Sequence, residues 1–164
     1  LQEIQNDLEY FSGIRAYFQK ERILIDIIDQ SQFTHDTRGQ YFQNLFDNFP
    51  ARSLIFLDPD TGLEESKPTE KHLLLAELKK IHDLMDAGSV LMVYQHYPRE
   101  RHETYVRRRC QQLLDLTGTA PVTITDNEIV FFLHTKNNAL RTHLEQVVEN
   151  YANSYPVLDS CASV

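Results

Sequence analysis

Ser53-Leu-Ile-Phe-Leu-Asp-Pro-Asp-Thr-Gly-Leu-Glu64 is the stretch of sequence that decides the fold. Its first five residues are apolar or small, which predicts a strand buried on both faces, as in the sheet of an α/β protein. Pro59 lacks the N–H group that a sheet ladder needs, so we expect the strand to end near Asp58. Thr61-Gly62 then predicts a turn. Because ligands of open α/β sheets bind beyond the carboxyl ends of the strands, this turn marks the first candidate site.

Short apolar runs and helical patterns alternate along the rest of the chain. Residues 22–28 and 89–96 are rich in β-branched and apolar side chains, which predicts one strand before and one after the quoted stretch. Residues 122–125 and 129–134 are joined by Asp126-Asn127-Glu128 and predict an antiparallel hairpin. Apolar spacings of three and four residues predict helices at 3–20, 34–49, 69–87, 101–116 and 138–151.

The order of these elements sets the expected fold class. Strands that alternate with helices are typical of parallel β-α-β units, and a hairpin at the end adds antiparallel pairing. We therefore predict a three-layer α/β sandwich with a mostly parallel sheet of about five strands and a C-terminal antiparallel hairpin. One domain is expected over residues 1–155, and the tail at 156–164 is expected to be frayed.

Composition limits the classes of function. The 164 residues, 41% of them hydrophobic and 24% charged, are ordinary for one soluble globular domain. The net charge of −8 argues against wholesale capture of nucleic acid or of an anionic membrane. Cys110 and Cys161 form neither a disulfide framework nor a zinc pattern, and no apolar run is long enough to span a membrane. We expect a cytoplasmic protein with no membrane partner and no bound metal.

The two strand ends carry a resemblance to a known family. Leu54–Glu64, followed by Gly88–His96, resembles the C-terminal half of class I S-adenosylmethionine-dependent methyltransferases, over about residues 20 to 135. More narrowly, it resembles a largely uncharacterised group of bacterial proteins distantly related to the ribosomal RNA adenine-N6 methyltransferase of the large subunit. The resemblance implies a Rossmann-like fold lacking its first strands, S-adenosylmethionine as cofactor and a nucleic-acid base as acceptor. No Gly-x-Gly cofactor loop is present, so a truncated or inactive member is expected.

The resemblance also implies roles for individual residues. In adenine-N6 methyltransferases the motif reads Asp-Pro-Pro-Tyr; its carboxylate accepts a hydrogen bond from the target amine and its aromatic ring stacks on a flipped base. Asp58 and Pro59 match the first two positions, whereas Asp60 replaces the second proline and Thr61 replaces the aromatic residue. The resemblance implies that Asp58 orients the acceptor, with Pro59, Asp60 and Thr61 around it. Asp29, just past the preceding predicted strand, is the candidate cofactor contact.

Polar residues at the end of the next strand extend the candidate site: His96 is a candidate catalytic residue and Tyr94 is a candidate substrate contact. Alternation places Tyr94 and His96 on one face of that strand and Gln95 on the other. A histidine beside a carboxylate suits general acid–base catalysis near neutral pH, although a histidine that satisfies backbone groups fits equally well. Arg99 is the candidate substrate contact among the arginines that follow, and the others, 101 and 107–109, indicate a solvated helix surface.

Two other classes of function remain open from the sequence. A nuclease or phosphodiesterase could hold Mg²⁺ with Asp58, Asp60 and either Glu64 or Glu65. Such sites use two adjacent strands, and the four residues between Asp60 and Glu65 leave little room for the second strand. A non-catalytic protein-interaction module, with a possible homodimer, needs no cofactor and is favoured by the missing glycine loop.

Overall fold

The computed structural model describes residues 13–25, 34–155 and 158–162, and the chain divides into two compact units, Leu1–Asp47 and Asn48–Val164. In the first unit, residues 13–20 are helical (α1), as predicted for the described part of that segment. The earlier part of the predicted helix lies outside the described residues. The single domain expected over residues 1–155 stays a prediction.

The rest of the first unit departs from the sequence prediction. Residues 23–25 have no regular secondary structure, and the remainder of the strand expected at 22–28 lies outside the described residues. The second helix, α2 (Arg38–Asp47), begins four residues later than predicted. Thr34 is followed by a hydrogen-bonded turn, in which its N–H donates to Thr37 Oγ1 at 2.8 Å. This side-chain bond satisfies the backbone locally, so regular helix starts only afterwards.

The second unit contains seven strands and three helices in the described part of the chain. Their bounds are β1 (Leu54–Leu57), β2 (Gly62–Leu63), β3 (His72–Leu73), α3 (Leu75–Leu84), β4 (Val90–His96), α4 (His102–Thr117), β5 (Val122–Thr125), β6 (Ile129–His134), α5 (Asn138–Ser154) and β7 (Asp159–Ala162).

Five of these strands form one mixed sheet in the order β1-β4-β6-β5-β7. Only β1 and β4 pair in parallel; β4 with β6, β5 with β6 and β5 with β7 are antiparallel. The expected α/β class and the C-terminal hairpin are therefore confirmed, whereas the mostly parallel sheet is wrong. The antiparallel β6 lies between β4 and β5, so it breaks the run of parallel neighbours.

Helices cover both faces of the sheet. On one face of β4, Leu91 and Val93 are fully buried. Helix α3, whose Leu78 and Ile81 are also fully buried, lies on this side, because its His82 contacts His134, the residue that pairs with Leu91. On the other face, α5 packs Val148 against residues of β5 and β6. The apolar side chains of each strand thus separate by their alternating direction into two core layers.

The first strand differs from its prediction in burial. Ile55 is buried, but Leu54 and Phe56 on the opposite face are 62% and 51% exposed. The expectation of a strand buried on both faces is therefore wrong for β1. An apolar run shows that a strand tolerates burial, but it does not show that both faces are covered.

Two further boundaries in the second unit differ from their predictions. The tail expected to be frayed contains β7, which pairs with β5 from Asp159 to Ala162. Helix α3 begins at Leu75 rather than near Thr69, because residues 72–73 pair first with β2.

Among the described residues, none of the helices combines the length and the apolar character that crossing a bilayer requires.

Candidate functional site

The carboxyl ends of β1 and β4 bring Asp58 next to Tyr94. The two strands run parallel with Leu57 opposite Val93, so the following residues reach the same edge of the sheet. Asp58 is exposed, and its negative charge raises the pKa of the Tyr94 phenol, after the larger effect of burial. The predicted parallel pairing of these strands is confirmed. The catalytic role of Asp58 stays a prediction.

Tyr94 and His96 form a hydrogen-bonded pair on one face of β4. Tyr94 Oη lies 3.0 Å from His96 Nε2, and the rings meet edge to face with centroids 4.8 Å apart. Gln95 points to the opposite, buried face, as alternation predicts. Because its pKa is raised, the phenol is protonated at neutral pH and donates to Nε2 when that nitrogen is unprotonated. The exposed His96 imidazole is thereby held in a defined orientation at the strand end.

Two carboxylates from the turn between β5 and β6 complete the surroundings of Tyr94. Asp126 and Glu128 also raise the pKa of its phenol, although less than burial does. Asp126 Oδ1 accepts hydrogen bonds from the N–H groups of Glu128 and Ile129, at 2.7 and 2.9 Å. Ile129 pairs with His96, which brings this turn to the end of β4. Neither carboxylate was predicted to belong to the site, because the sequence does not show that β6 lies next to β4.

Aromatic rings continue from Tyr94 across the same face of the sheet. The Phe131 ring lies 5.4 Å from the Tyr94 ring, and Phe56 lies 6.4 Å from Phe131, measured between centroids. Phe56 is half exposed, and Phe131 is partly so. A row of rings therefore runs from the exposed edge strand to the Asp58 carboxylate.

Pro59, Asp60 and Thr61 build the turn that follows Asp58. The Pro59 carbonyl accepts a hydrogen bond from Gly62 N at 3.1 Å, and Thr61 N donates to the Lys71 carbonyl at 3.2 Å. Asp60 Oδ2 accepts from Lys71 Nζ at 2.7 Å, and this hydrogen bond raises the pKa of the Lys71 ammonium group. Asp60 thus belongs to an exposed ion pair, and Pro59 stabilises the turn through its carbonyl.

Gln95 holds the turn from the buried side of β4. Its Oε1 accepts a hydrogen bond from Leu63 N at 2.7 Å, and its Nε2 donates to the His96 carbonyl at 2.6 Å. Gly62 has φ of +92°, and a Cβ at that position would overlap the Gln95 side-chain amide. Gln95 therefore joins the end of β4 to the segment that follows Asp58. No role was predicted for Gln95 from the sequence.

Arg109 holds the same segment from α4. It is 1% exposed, and its Nη2 donates to Glu65 Oε1 at 2.5 Å and to the Leu63 carbonyl at 3.3 Å. Its Nη1 donates to Gln112 at 2.5 Å, and its Nε donates to Tyr105 Oη at 3.2 Å. All three guanidinium nitrogens are therefore engaged, as a buried charge requires.

The other arginines after β4 differ from Arg109. Arg108 is 43% exposed and pairs with Glu100 at 2.9 Å. Arg99, the candidate substrate contact, is exposed in the bend that follows β4. A solvated surface was predicted for Arg101, Arg107, Arg108 and Arg109, and this prediction is wrong for Arg109. Its helical spacing of four residues from both Tyr105 and Leu113, which are buried, was the signal of an inward position.

The carboxylates of the candidate magnesium site have separate partners. Glu65 binds Arg109, whereas Glu64 Oε2 accepts a hydrogen bond from Leu75 N at 2.8 Å at the start of α3. In the segments that the structure describes, no three histidine, cysteine or acidic side chains are grouped as metal ligands. Asp29, the candidate cofactor contact, lies outside the described residues.

Comparisons with known proteins identify no relative. No protein-family model, no curated protein and no solved structure matches this chain.

Proposed function

We propose that this chain forms the acceptor side of a class I methyltransferase-like domain that uses S-adenosylmethionine to methylate an exocyclic amine of a nucleic-acid base. The observation that carries the proposal is the position of Asp58 at the carboxyl end of β1, beside the Tyr94–His96 pair at the carboxyl end of β4. Carboxyl ends of parallel neighbours are where open α/β sheets bind their ligands.

The succession of elements supports this proposal. After Asp58 the second unit continues with α3, β4, α4 and the β5–β6 hairpin, which is the succession expected from the resemblance. A carboxylate followed by proline ends the first of these strands, as in adenine-N6 methyltransferases.

The acceptor roles follow from the chemistry of the side chains. The exposed Asp58 carboxylate accepts a hydrogen bond from the amine and thereby orients its nitrogen. Thr61 stands where the family has a stacking aromatic residue. Tyr94 and Phe131, on the face of the sheet opposite Gln95, are proposed to supply ring surface instead. Single-stranded bases stack on such rings without regard to their sequence. Arg99 is proposed to contact the substrate from the bend after β4.

The charge of the site fits a cationic methyl donor. Asp58, Asp126 and Glu128 all act electrostatically on Tyr94 and make this edge of the sheet negative. S-adenosylmethionine, if bound, would supply an electrophilic methyl group on a positively charged sulfur that would leave with the electron pair of the sulfur–carbon bond. His96, when neutral, accepts the proton that the amine nitrogen releases on methylation and returns it to solvent. Asp29 is proposed as a cofactor contact on the resemblance alone.

Binding of matched oligonucleotides tests the acceptor role of Asp58. We expect a short single-stranded oligonucleotide containing adenine to bind more tightly than the same oligonucleotide containing purine, which lacks the amine. Asp58→Asn weakens binding of the adenine form about tenfold, because a hydrogen bond to a charged group contributes about 1.5–3 kcal/mol. Binding of the purine form stays unchanged. Titration calorimetry with S-adenosylhomocysteine measures donor binding separately.

Asp60→Asn is the matched control for this experiment. It removes a carboxylate only two residues away that is already paired with Lys71. Asp60 is proposed to shape the pocket without contacting the amine, so we expect Asp60→Asn to leave the ratio of the two affinities unchanged. Equal binding of the two oligonucleotides, or equal effects of the two substitutions, contradicts the proposed acceptor site.

The exposed face of β1 favours a protein-interaction module as the second candidate function. Leu54 and Phe56 present apolar side chains to solvent on an edge strand, which is a surface that proteins commonly cover with a partner. Sedimentation equilibrium over a range of concentrations tests this second function. If the wild type associates and Phe56→Ser does not, the association requires the β1 face.

A further inference from the structure

Two histidines lie buried side by side between α3 and the sheet. His82, on α3, is 3% exposed, and His134, the last residue of β6, is 1% exposed. Their rings meet edge to face with centroids 6.0 Å apart. His134 pairs with Leu91 across the sheet and therefore shares the face of Leu91. We call these two residues the histidine pair.

The ring nitrogens of the histidine pair have no hydrogen-bond partner within the described part of the chain. A buried polar group without a partner costs about 1–3 kcal/mol, so native proteins rarely keep one. The acidic side chain of Asp83 lies close to the pair, with its Oδ1 3.8 Å from His82 Nδ1, beyond hydrogen-bond distance. No hydrogen bond within the described residues therefore holds either ring in place.

The charges around the histidine pair oppose its protonation. From the segment after β6, Lys136 Nζ donates to the carbonyls of Asp83 and Met85 at 2.8 Å each, so its positive charge is held near His82. Lys79 on α3 and Arg141 on α5 are also positive. Asp83, on α3, is the acidic group that favours a charged His82, but its carboxylate is half exposed and already bonded to Lys79.

Both pKa values shift in the direction that these surroundings require. Burial, with smaller contributions from His82 and Arg141, lowers the pKa of His134 from 6.5 to about 3. Burial first and Lys136 second lower the pKa of His82. Both rings are therefore neutral in the folded protein at neutral pH.

We propose that the histidine pair is an acid-sensitive contact between α3 and β6: the two rings pack together only while both are neutral, and protonation separates α3 from the sheet. A charged His134 ring has no acceptor in the described part of this site, and a charged His82 ring has only Asp83, which Lys79 already engages. An opened α3 exposes the ring to water instead. The C-terminal turn of α3 opens first, because it carries His82 and the carbonyls that bind Lys136.

The direction of the pH dependence follows from the lowered pKa values. Above pH 6.5 neither the closed nor the opened form binds the proton, and the contact has its full stability. As the pH falls below 6.5, the opened form binds the proton first, so stability is lost progressively down to the folded-state pKa. For His134 alone, the opening constant rises about 30-fold between pH 7.5 and pH 5.

Urea unfolding at pH 7.5 and pH 5 tests this inference in the full chain. We expect the unfolding constant of the wild type to rise about 30-fold or more between pH 7.5 and pH 5. The rise in the double variant His82→Leu/His134→Leu is expected to be at least about ten times smaller. His143→Leu removes an exposed histidine on α5 and serves as the control, with the pH dependence of the wild type. The same pH dependence in the double variant overturns the proposal.

Two measurements on the wild type keep the test valid if the double variant does not fold. Ring ¹⁵N shifts of the folded protein at pH 6 are expected to show both members of the pair neutral, and a charged ring overturns the proposal. Hydrogen exchange at pH 5.5 is expected to show amides 75–85 of α3 losing protection while those of β4 keep it. Equal loss in both elements indicates only global acid unfolding, and it also overturns the proposal.

Discussion

Gly62 determines how closely the segment after Asp58 approaches β4. Its φ of +92° lies in the region that side chains disfavour, and a Cβ would overlap the Gln95 side-chain amide. The neighbouring Leu63 N–H donates to Gln95 Oε1 at 2.7 Å in a buried environment. A residue without a side chain is therefore needed both for the conformation and for the space that Gln95 occupies.

We expect Gly62→Ala to lower the free energy of unfolding by about 3 kcal/mol. About 1–2 kcal/mol comes from the left-handed conformation, and the rest from displacing Gln95 and leaving Leu63 N–H unpaired. Gly118→Ala is the control, because Gly118 has φ of +78° but no atom lies within 4 Å of the place that its new methyl group would take. It is expected to cost about 1–2 kcal/mol. Urea midpoints of both variants measure the difference, and equal losses contradict a close approach at Gly62.

Helix α4 is joined to the segment after Asp58 mainly through Arg109. Its guanidinium contacts the Leu63 carbonyl and the Glu65 carboxylate while lying under the Tyr105 ring, whose centroid is 5.3 Å from Cζ. Arg108, the preceding residue along the chain, reaches the same Glu65 at 3.6 Å from an exposed position. Adjacent arginines of one helix therefore offer a buried and an exposed version of the same ion pair.

Replacing each of these arginines by methionine measures the difference. We expect Arg109→Met to lower the free energy of unfolding by about 3 kcal/mol, because the Leu63 carbonyl loses a buried donor; Glu65 is 41% exposed and stays hydrated. Arg108→Met is expected to cost less than about 1 kcal/mol, since water screens an exposed pair. Thermal unfolding of the two variants at equal salt tests this, and a larger loss for Arg108→Met contradicts the buried junction.

The sequence predicted the longer elements of the second unit because their patterns are decided locally. The apolar run of β4 and the hairpin turn at Asp126 carry their own signals, as does Gly118, which ends α4 in the left-handed conformation. The two-residue strands β2 and β3 were not predicted, since their pairing depends on residues ten positions apart.

The candidate site was only partly predictable for a related reason. Alternation along β4 put Tyr94 and His96 on one face, and Asp58 could be placed from the proline that ends β1. The acidic turn at Asp126 could not be placed, because the sequence does not show that β6 lies next to β4. The burial of Arg109 likewise depends on the position of Glu65 in the folded chain.

At the scale of the whole molecule, the second unit, Asn48–Val164, contains a core of its own. Its fully buried apolar side chains come from both core layers of one five-stranded sheet and include Leu78, Ile81, Leu91, Val93, Leu113, Val122, Val130 and Phe132. A unit of this size with a continuous core is expected to unfold cooperatively. We therefore predict that residues 48–164 fold without the preceding residues.

Circular dichroism during urea unfolding of two fragments tests this prediction. Residues 48–164 are expected to give one cooperative transition. Residues 75–164 lack β1 and the segment that binds Arg109 and Gln95. The buried Arg109 guanidinium therefore loses Glu65 and the Leu63 carbonyl, and Gln95 Oε1 loses the Leu63 N–H. We expect this shorter fragment to show no cooperative transition. If both fragments behave alike, the segment from β1 to β3 does not contribute to the core, and the contacts of Gln95 and Arg109 are dispensable for folding.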